Sequence, residues 1–237
     1  MKHVFVGLLL LFSGGLYAAD SFLPPFTATY GLYAKGWSVG EGTRTLTHQG
    51  DNKWVFETHA GSTGFLSLFK DIRIDERSEF RLVNGQVLPS KYTYRQTGHK
   101  DRYSRISFNW YRKKATSLYK GETKVIPLEE GTLDRLVYQV VLMQDLKQGK
   151  RRLKYKIANK GKIRVYRPKF IGRESVNTGI GQLETVKYER QSSNSKRRTT
   201  LWCASNLHYL PVQVEHVEKD GDVFRLELQS VRWHKIQ

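Results

Sequence analysis

A single cysteine, Cys203, serves the whole chain of 237 residues. No disulfide can form within the chain, and a Cys-rich zinc site lacks its ligands. Prolines number six, and neither a collagen nor a coiled-coil composition is present. Acid is scarce: 22 Asp and Glu stand against 40 Lys and Arg, for a formal net charge of +18. Catalytic signatures are missing too. His48, His59, His99, His208, His216 and His234 are scattered without metal-ligand spacing. No G-x-S-x-G elbow and no phosphate-binding glycine loop occurs. The sequence therefore assigns no catalytic residue, no metal ligand and no cofactor, and a non-enzyme is expected; a hydrolase of cell-wall or lipid substrate is the less favoured alternative, since it lacks a nucleophile–base pair.

What is present excludes disorder. Thirteen Tyr, eleven Phe and five Trp, in a chain that is 39% hydrophobic, can build a core. The N-terminus has Lys2 and then the apolar run Val4 to Phe12, with small residues before Ala18-Ala19. The run is shorter than the roughly 20 residues that span a bilayer. Its flanks fit a secretory signal peptide over residues 1–18, cleaved after Ala18 or Ala19, with an uncleaved anchor as the alternative. An exported, periplasmic address follows, with residues 19–237 expected as one β-rich domain. No later segment approaches a membrane span. Export leaves nucleic acid, the reflex partner of so basic a chain, as an unexpected one.

Beyond residue 20 the dominant period is two, the signature of strands. In 71–82, Ile72, Ile74, Glu76, Ser78, Phe80 and Leu82 share one face, while Asp71, Arg73, Asp75, Arg77 and Glu79 share the other. Asn84-Gly85 and Asp220-Gly221 mark hairpin turns. The return strand from the first turn spans 88–96. Further strands are expected at 102–111, 115–120, 151–157, 162–171, 182–191, 197–203, 209–218 and 222–233. Glycines in 36–42 and 179–181 read as turn or bulge positions. One segment departs from the pattern: Leu133, Leu136, Val137, Val140, Met143 and Leu146 form a helical stripe. The spacing predicts an amphipathic helix over about 132–147, capped by Thr132 or Gly131 and ended at Gly149. The fold class is mainly β: a curved antiparallel sheet, or a partly open barrel or sandwich, wrapped around this helix.

Charge is concentrated. Between Lys147 and Arg173 lie twelve basic residues and no acid. Leu153, Tyr155 and Ile157 alternate with Arg152, Lys154 and Lys156, and past a turn at 158–161, Ile163 and Val165 alternate with Lys162 and Arg164. The pattern is a hairpin with an apolar inner and a basic outer face. Such a face collects anions; equally, it is an ordinary solvated surface or a lysine-guarded edge. An anionic lipid headgroup or an envelope polymer is the partner class that fits an exported protein.

Interior ligand candidates are weaker. Glu76 is a carboxylate among core positions and needs an Arg or Tyr hydroxyl partner; it either orients a ligand or completes a structural ion pair. Tyr92, Tyr94 and Trp110 belong to the same interior set, whose alternative role is plain core. Phe65 and Phe69 in the apolar run 64–69 form either a lipid-touching loop or a core-closing one. Cys203 reads as a small buried apolar residue.

Several blocks, in order, resemble the bacterial domain-of-unknown-function family 3108. They are 25–30 (Pro-Phe-Thr-Ala-Thr-Tyr), Gly40-Glu41-Gly42, Asp71 to Phe80, Leu133-Asp134-Arg135-Leu136, Leu183-Glu184-Thr185-Val186, Lys196 to Trp202 and Tyr209-Leu210-Pro211-Val212. The resemblance implies an exported, mainly β envelope protein and no activity. The ending from Trp202 to Val212 also resembles the last strands of periplasmic lipoprotein carriers, an analogy of fold alone.

Overall fold

The computed structural model describes residues 22–63, 71–98, 100–191 and 196–236. The expected signal peptide, and Phe65 and Phe69 with their apolar run, lie outside the described residues.

Alternating sequence becomes strand almost throughout. β1 (Phe26–Ala34), β2 (Trp37–His48), β3 (Lys53–Ser62), β4 (Arg73–Val83), β5 (Gln86–Thr97), β6 (Arg102–Asn109), β7 (Lys114–Tyr119) and β8 (Glu122–Pro127) follow one another. An interruption carries β9 (Thr132–Asp134), α1 (Tyr138–Lys147), β10 (Tyr155–Asn159) and β11 (Lys162–Tyr166). The chain then resumes with β12 (Lys169–Thr178), β13 (Gly181–Gln191), β14 (Arg198–Ala204), β15 (Leu210–Val217) and β16 (Val223–Trp233). Strands β12 to β16 followed by β1 to β8 make one 13-stranded sheet, in which β16 pairs antiparallel with β1. The sheet does not close; β12 and β8 are its edges. β9, β10 and β11 form a separate small sheet, with β9 parallel to β10.

The turns obey residue chemistry. Asn84 and Gly85 both take positive φ, 50° and 76°, so the two-residue turn matches the strand twist. Within β2 the ladder to β1 skips between Leu32↔Gly40 and Tyr33↔Ser38, the irregularity expected of the 36–42 glycines.

Pairing register sorts the inner face into layers. One row runs Phe26–Leu46–Phe56–Ser78–Tyr92–Ile106 across β1 to β6. The next row runs Ala28–Arg44–Thr58–Glu76–Tyr94–Ser104 and on to Tyr119 of β7. The first is mostly apolar and fully buried; the second is polar although it too faces inward.

The helix and two strands differ from expectation. Residues 132–134 pair with β10 as a strand, and α1 begins only at Tyr138. Asp134, not Thr132 or Gly131, supplies the cap-like contacts: its Oδ1 accepts the backbone N–H groups of Leu136 and Val137 at 2.8 and 2.9 Å. The far end is as expected. Gly149, at φ 72°, donates to Leu146 O, and Lys150 N to Asp145 O, a Schellman closure. Tyr138, Val140, Leu142, Met143 and Leu146 of α1 are all buried, more than one stripe, because the helix packs into the core that both sheets share. The strand expected at 162–171 is broken at Pro168, which lacks a ladder N–H, into β11 and β12. The strand expected from 151 starts at Tyr155.

Candidate functional site

Chemistry collects where the segment carrying β9, α1, β10 and β11, which lies between β8 and β12 in sequence, meets the inner face of β4. Asp134 and Arg135, adjacent in sequence, anchor this insert to the inner face of β4. Asp134 is fully buried; its Oδ2 accepts a hydrogen bond from Ser78 Oγ at 2.6 Å. Burial lifts its carboxyl to about 6 in spite of those donors. Arg135 Nη2 donates to Glu76 Oε1 at 2.6 Å, and Tyr92 Oη donates to Glu76 Oε2 at 2.9 Å. The Arg135 guanidinium also lies over the Tyr94 ring, 5.0 Å from its centroid. Glu76 raises the Arg135 pKa above its ordinary value, and burial raises that of the Tyr92 phenol. The interior carboxylate thus has the partners its burial demands. Among the expected interior residues, the structure unites Glu76, Tyr92 and Tyr94. Trp110 stands apart: it stacks on Phe108 and donates Nε1 to Pro89 O at 2.7 Å.

A cleft of about 520 Å³ opens at one end, between the β4–β5 turn, β9, α1 and the start of β10. Phe22, Val87, Leu133 and Val141 give it apolar wall; Lys150, Lys154 and Lys156 give it charge. Two of those cations are paired, Lys150 to Asp145 and Lys156 to Glu129, each at 2.6 Å. Lys154 is exposed and, among the described residues, has no carboxylate at ion-pair distance. Gln144, also on the wall, carries a buried Oε1 with no hydrogen-bond partner among the described residues. Of the other expected basic residues, Arg152 and Lys162 are exposed on the same insert, and so is Arg164. The acid-free stretch is therefore partly neutralised by Asp145, just outside it, and by Glu129, eighteen residues before its start.

Two further features escaped sequence reasoning. A cavity of about 70 Å³ lies beside Tyr94 and Arg135. Another, of about 540 Å³, is lined by Thr43, His59, Asp75 and Arg73 among others. There His59 Nδ1 meets Asp75 Oδ1 at 2.6 Å, 16 residues apart in sequence but opposite each other on β3 and β4. Only the register could have revealed that pair. Cys203 is buried, and burial pushes its thiol up to about 12, which leaves it protonated and unreactive. No helix among the described residues is long and apolar enough to cross a membrane.

Comparison with known proteins supplies a family and a fold. The family model for a protein of unknown function, DUF3108, matches residues 25–229. No curated protein matches. Among solved structures, a beta-barrel-like protein of domain of unknown function DUF1849 from Brucella abortus superposes with a TM-score of 0.59 at 10% identity, covering 90% of this chain and 99% of that one. A candidate lipoprotein from Parabacteroides distasonis ATCC 8503 covers 89% and 96% of the two chains at 10% identity, but its TM-score of 0.38 is too low to relate the folds.

Proposed function

The chain belongs to the DUF3108 family, a membership that brings a fold and no activity, and on that premise we propose that it is an exported, non-catalytic binding protein for an amphipathic anion of the bacterial envelope. The observation that carries this reading is the cleft at the mouth. It joins apolar wall (Phe22, Val87, Leu133, Val141) to the exposed cation Lys154 in a volume of about 520 Å³. That is the size class of small-molecule sites, where apolar lining gives affinity and a few polar groups give orientation. Export rests on Lys2 and the short apolar run that follows it.

The test uses protein expressed with its own N-terminus and recovered from the periplasmic fraction, where an intact mass lacking residues 1–18 or 1–19 is expected. Monomeric lysophosphatidylglycerol is then titrated and followed by native mass spectrometry. A one-to-one adduct is expected. Val141→Phe, which fills the cleft, should abolish it, and Lys154→Glu should weaken it about tenfold. Absence of any adduct, or an adduct indifferent to both variants, sinks the reading. A second reading, docking of an acidic protein or wall polymer on the outer face of the insert, rests on the exposure of Arg152, Lys162 and Arg164. Reversing Lys162 and Arg164 would then abolish polymer capture while leaving the amphiphile adduct intact.

A further inference from the structure

The small cavity has a composition that the fold does not otherwise require. Tyr94, Ser104 and Tyr119 are neighbours on the polar row of the sheet and form one wall. Arg135 reaches it from the segment between β9 and α1; Arg102 and Lys160 come from the start of β6 and the β10–β11 turn. Three cations thus converge on one space. Glu76 compensates Arg135. Among the described residues, Arg102 and Lys160 have no carboxylate at ion-pair distance, and Lys160 Nζ instead lies over the Tyr119 ring, 4.9 Å from its centroid. Lys120 Nζ stands near the same ring at 5.9 Å. An anion entering this space therefore meets positive charge that no neighbouring carboxylate offsets at Arg102 and Lys160. Tyr92 and Tyr94 already donate to Glu76 and Gln96, but the hydroxyls of Tyr103, Ser104 and Tyr119 in the lining add neutral donors, the mixture that holds an oxyanion.

Size narrows the ligand. At about 70 Å³ the cavity has room for several waters, and so for one tetrahedral ion. We infer that this cavity is a binding site for a tetrahedral oxyanion, phosphate or sulfate, either free or as the terminal group of a larger molecule. It shares no lining residue with the cleft of the proposed function, so the two sites stand or fall separately. The exposed Arg102 and Lys160 form the rim through which the ion enters, and Arg135, held in place by Glu76, forms the floor.

The experiment is calorimetric titration of the purified protein with inorganic phosphate, inorganic sulfate and glycerol phosphate at constant ionic strength, with chloride as control. Saturable one-to-one binding of at least one of the three is expected, with no matching signal from chloride. Arg102→Met and Lys160→Met change exposed side chains, so both should fold with an unaltered melting temperature in chloride. Each should weaken binding about tenfold or more. Binding of the free ions assigns a free oxyanion; binding of glycerol phosphate alone assigns an esterified one. No saturable binding to any of the three, or affinities unchanged in both variants, overturns the site. Lys154→Glu, which probes the cleft, should leave the oxyanion titration unchanged.

Discussion

At the scale of single residues, Asp134 connects local structure to pH. It holds the entry to α1 through two backbone donors and ties the insert to β4 through Ser78. Its carboxyl titrates near 3.8 when unfolded and is raised to about 6 in the fold, chiefly by burial. The folded state therefore binds this proton more tightly. The contribution is fully present below about pH 4, is lost as pH rises through 6, and then stays level. A rise from 3.8 to about 6 corresponds to on the order of 3 kcal/mol. Asp134→Asn keeps an acceptor for the two N–H groups and removes the titration. Measured by thermal melts, the variant should gain on the wild type between pH 4 and pH 7; a gap that does not change with pH would refute the assignment. Asp134 could not be singled out from sequence, because its burial depends on Ser78, 56 residues away. Glu76 was legible as an inward carboxylate in need of a partner, but nothing local pointed to Arg135.

Elements were legible to the extent that their cause is local. The strands around Asn84-Gly85, the Gly149 helix end and the glycine irregularity in β2 all follow from backbone preferences of nearby residues. Gly40 shows the limit of that reasoning. Its φ is not the issue; a Cβ there would come within 2.1 Å of Gly61 O on β3. Gly40→Ala should therefore force β2 from β3 and cost about 1–3 kcal/mol, the range for overpacking, seen as a lower urea midpoint. A stability equal to wild type would show that the strands separate freely. Residues 132–134 read as helix because Leu133 continues the apolar stripe; pairing with β10, some twenty residues later, makes them a strand instead. The tertiary ladder outweighed a propensity worth only tenths of a kcal/mol per residue.

For the whole molecule, the open sheet and its insert share one buried core and are expected to unfold together. The helix has no stable existence at ten residues; it is held because the concave face buries it on several sides. Leu142 is fully buried, so Leu142→Ala should cost about 2–5 kcal/mol. Chemical denaturation followed by far-UV dichroism, which reports the sheet, and by tryptophan fluorescence should still show coincident transitions. Separate transitions would mean that the insert unfolds apart from the sheet. The charge layout is also decided at this scale. Twelve basic residues lie together in sequence, yet the structure divides them between the cleft, the rim of the small cavity and the outer surface, and sets Glu129 and Asp145 against two of them.

The sequence alone determined the class of fold, the two hairpins, the place of the helix and the location of its excess charge, since alternation, turn chemistry and charge runs act over a few residues. Only the tertiary structure decided which groups meet. Glu76 meets Arg135, His59 meets Asp75, and Arg102 faces Lys160 across a cavity, because strand register and the return of the insert into the sheet bring together residues that no sequence period relates. A period of two says which way a side chain points; the sum of long-range pairings says what it points at.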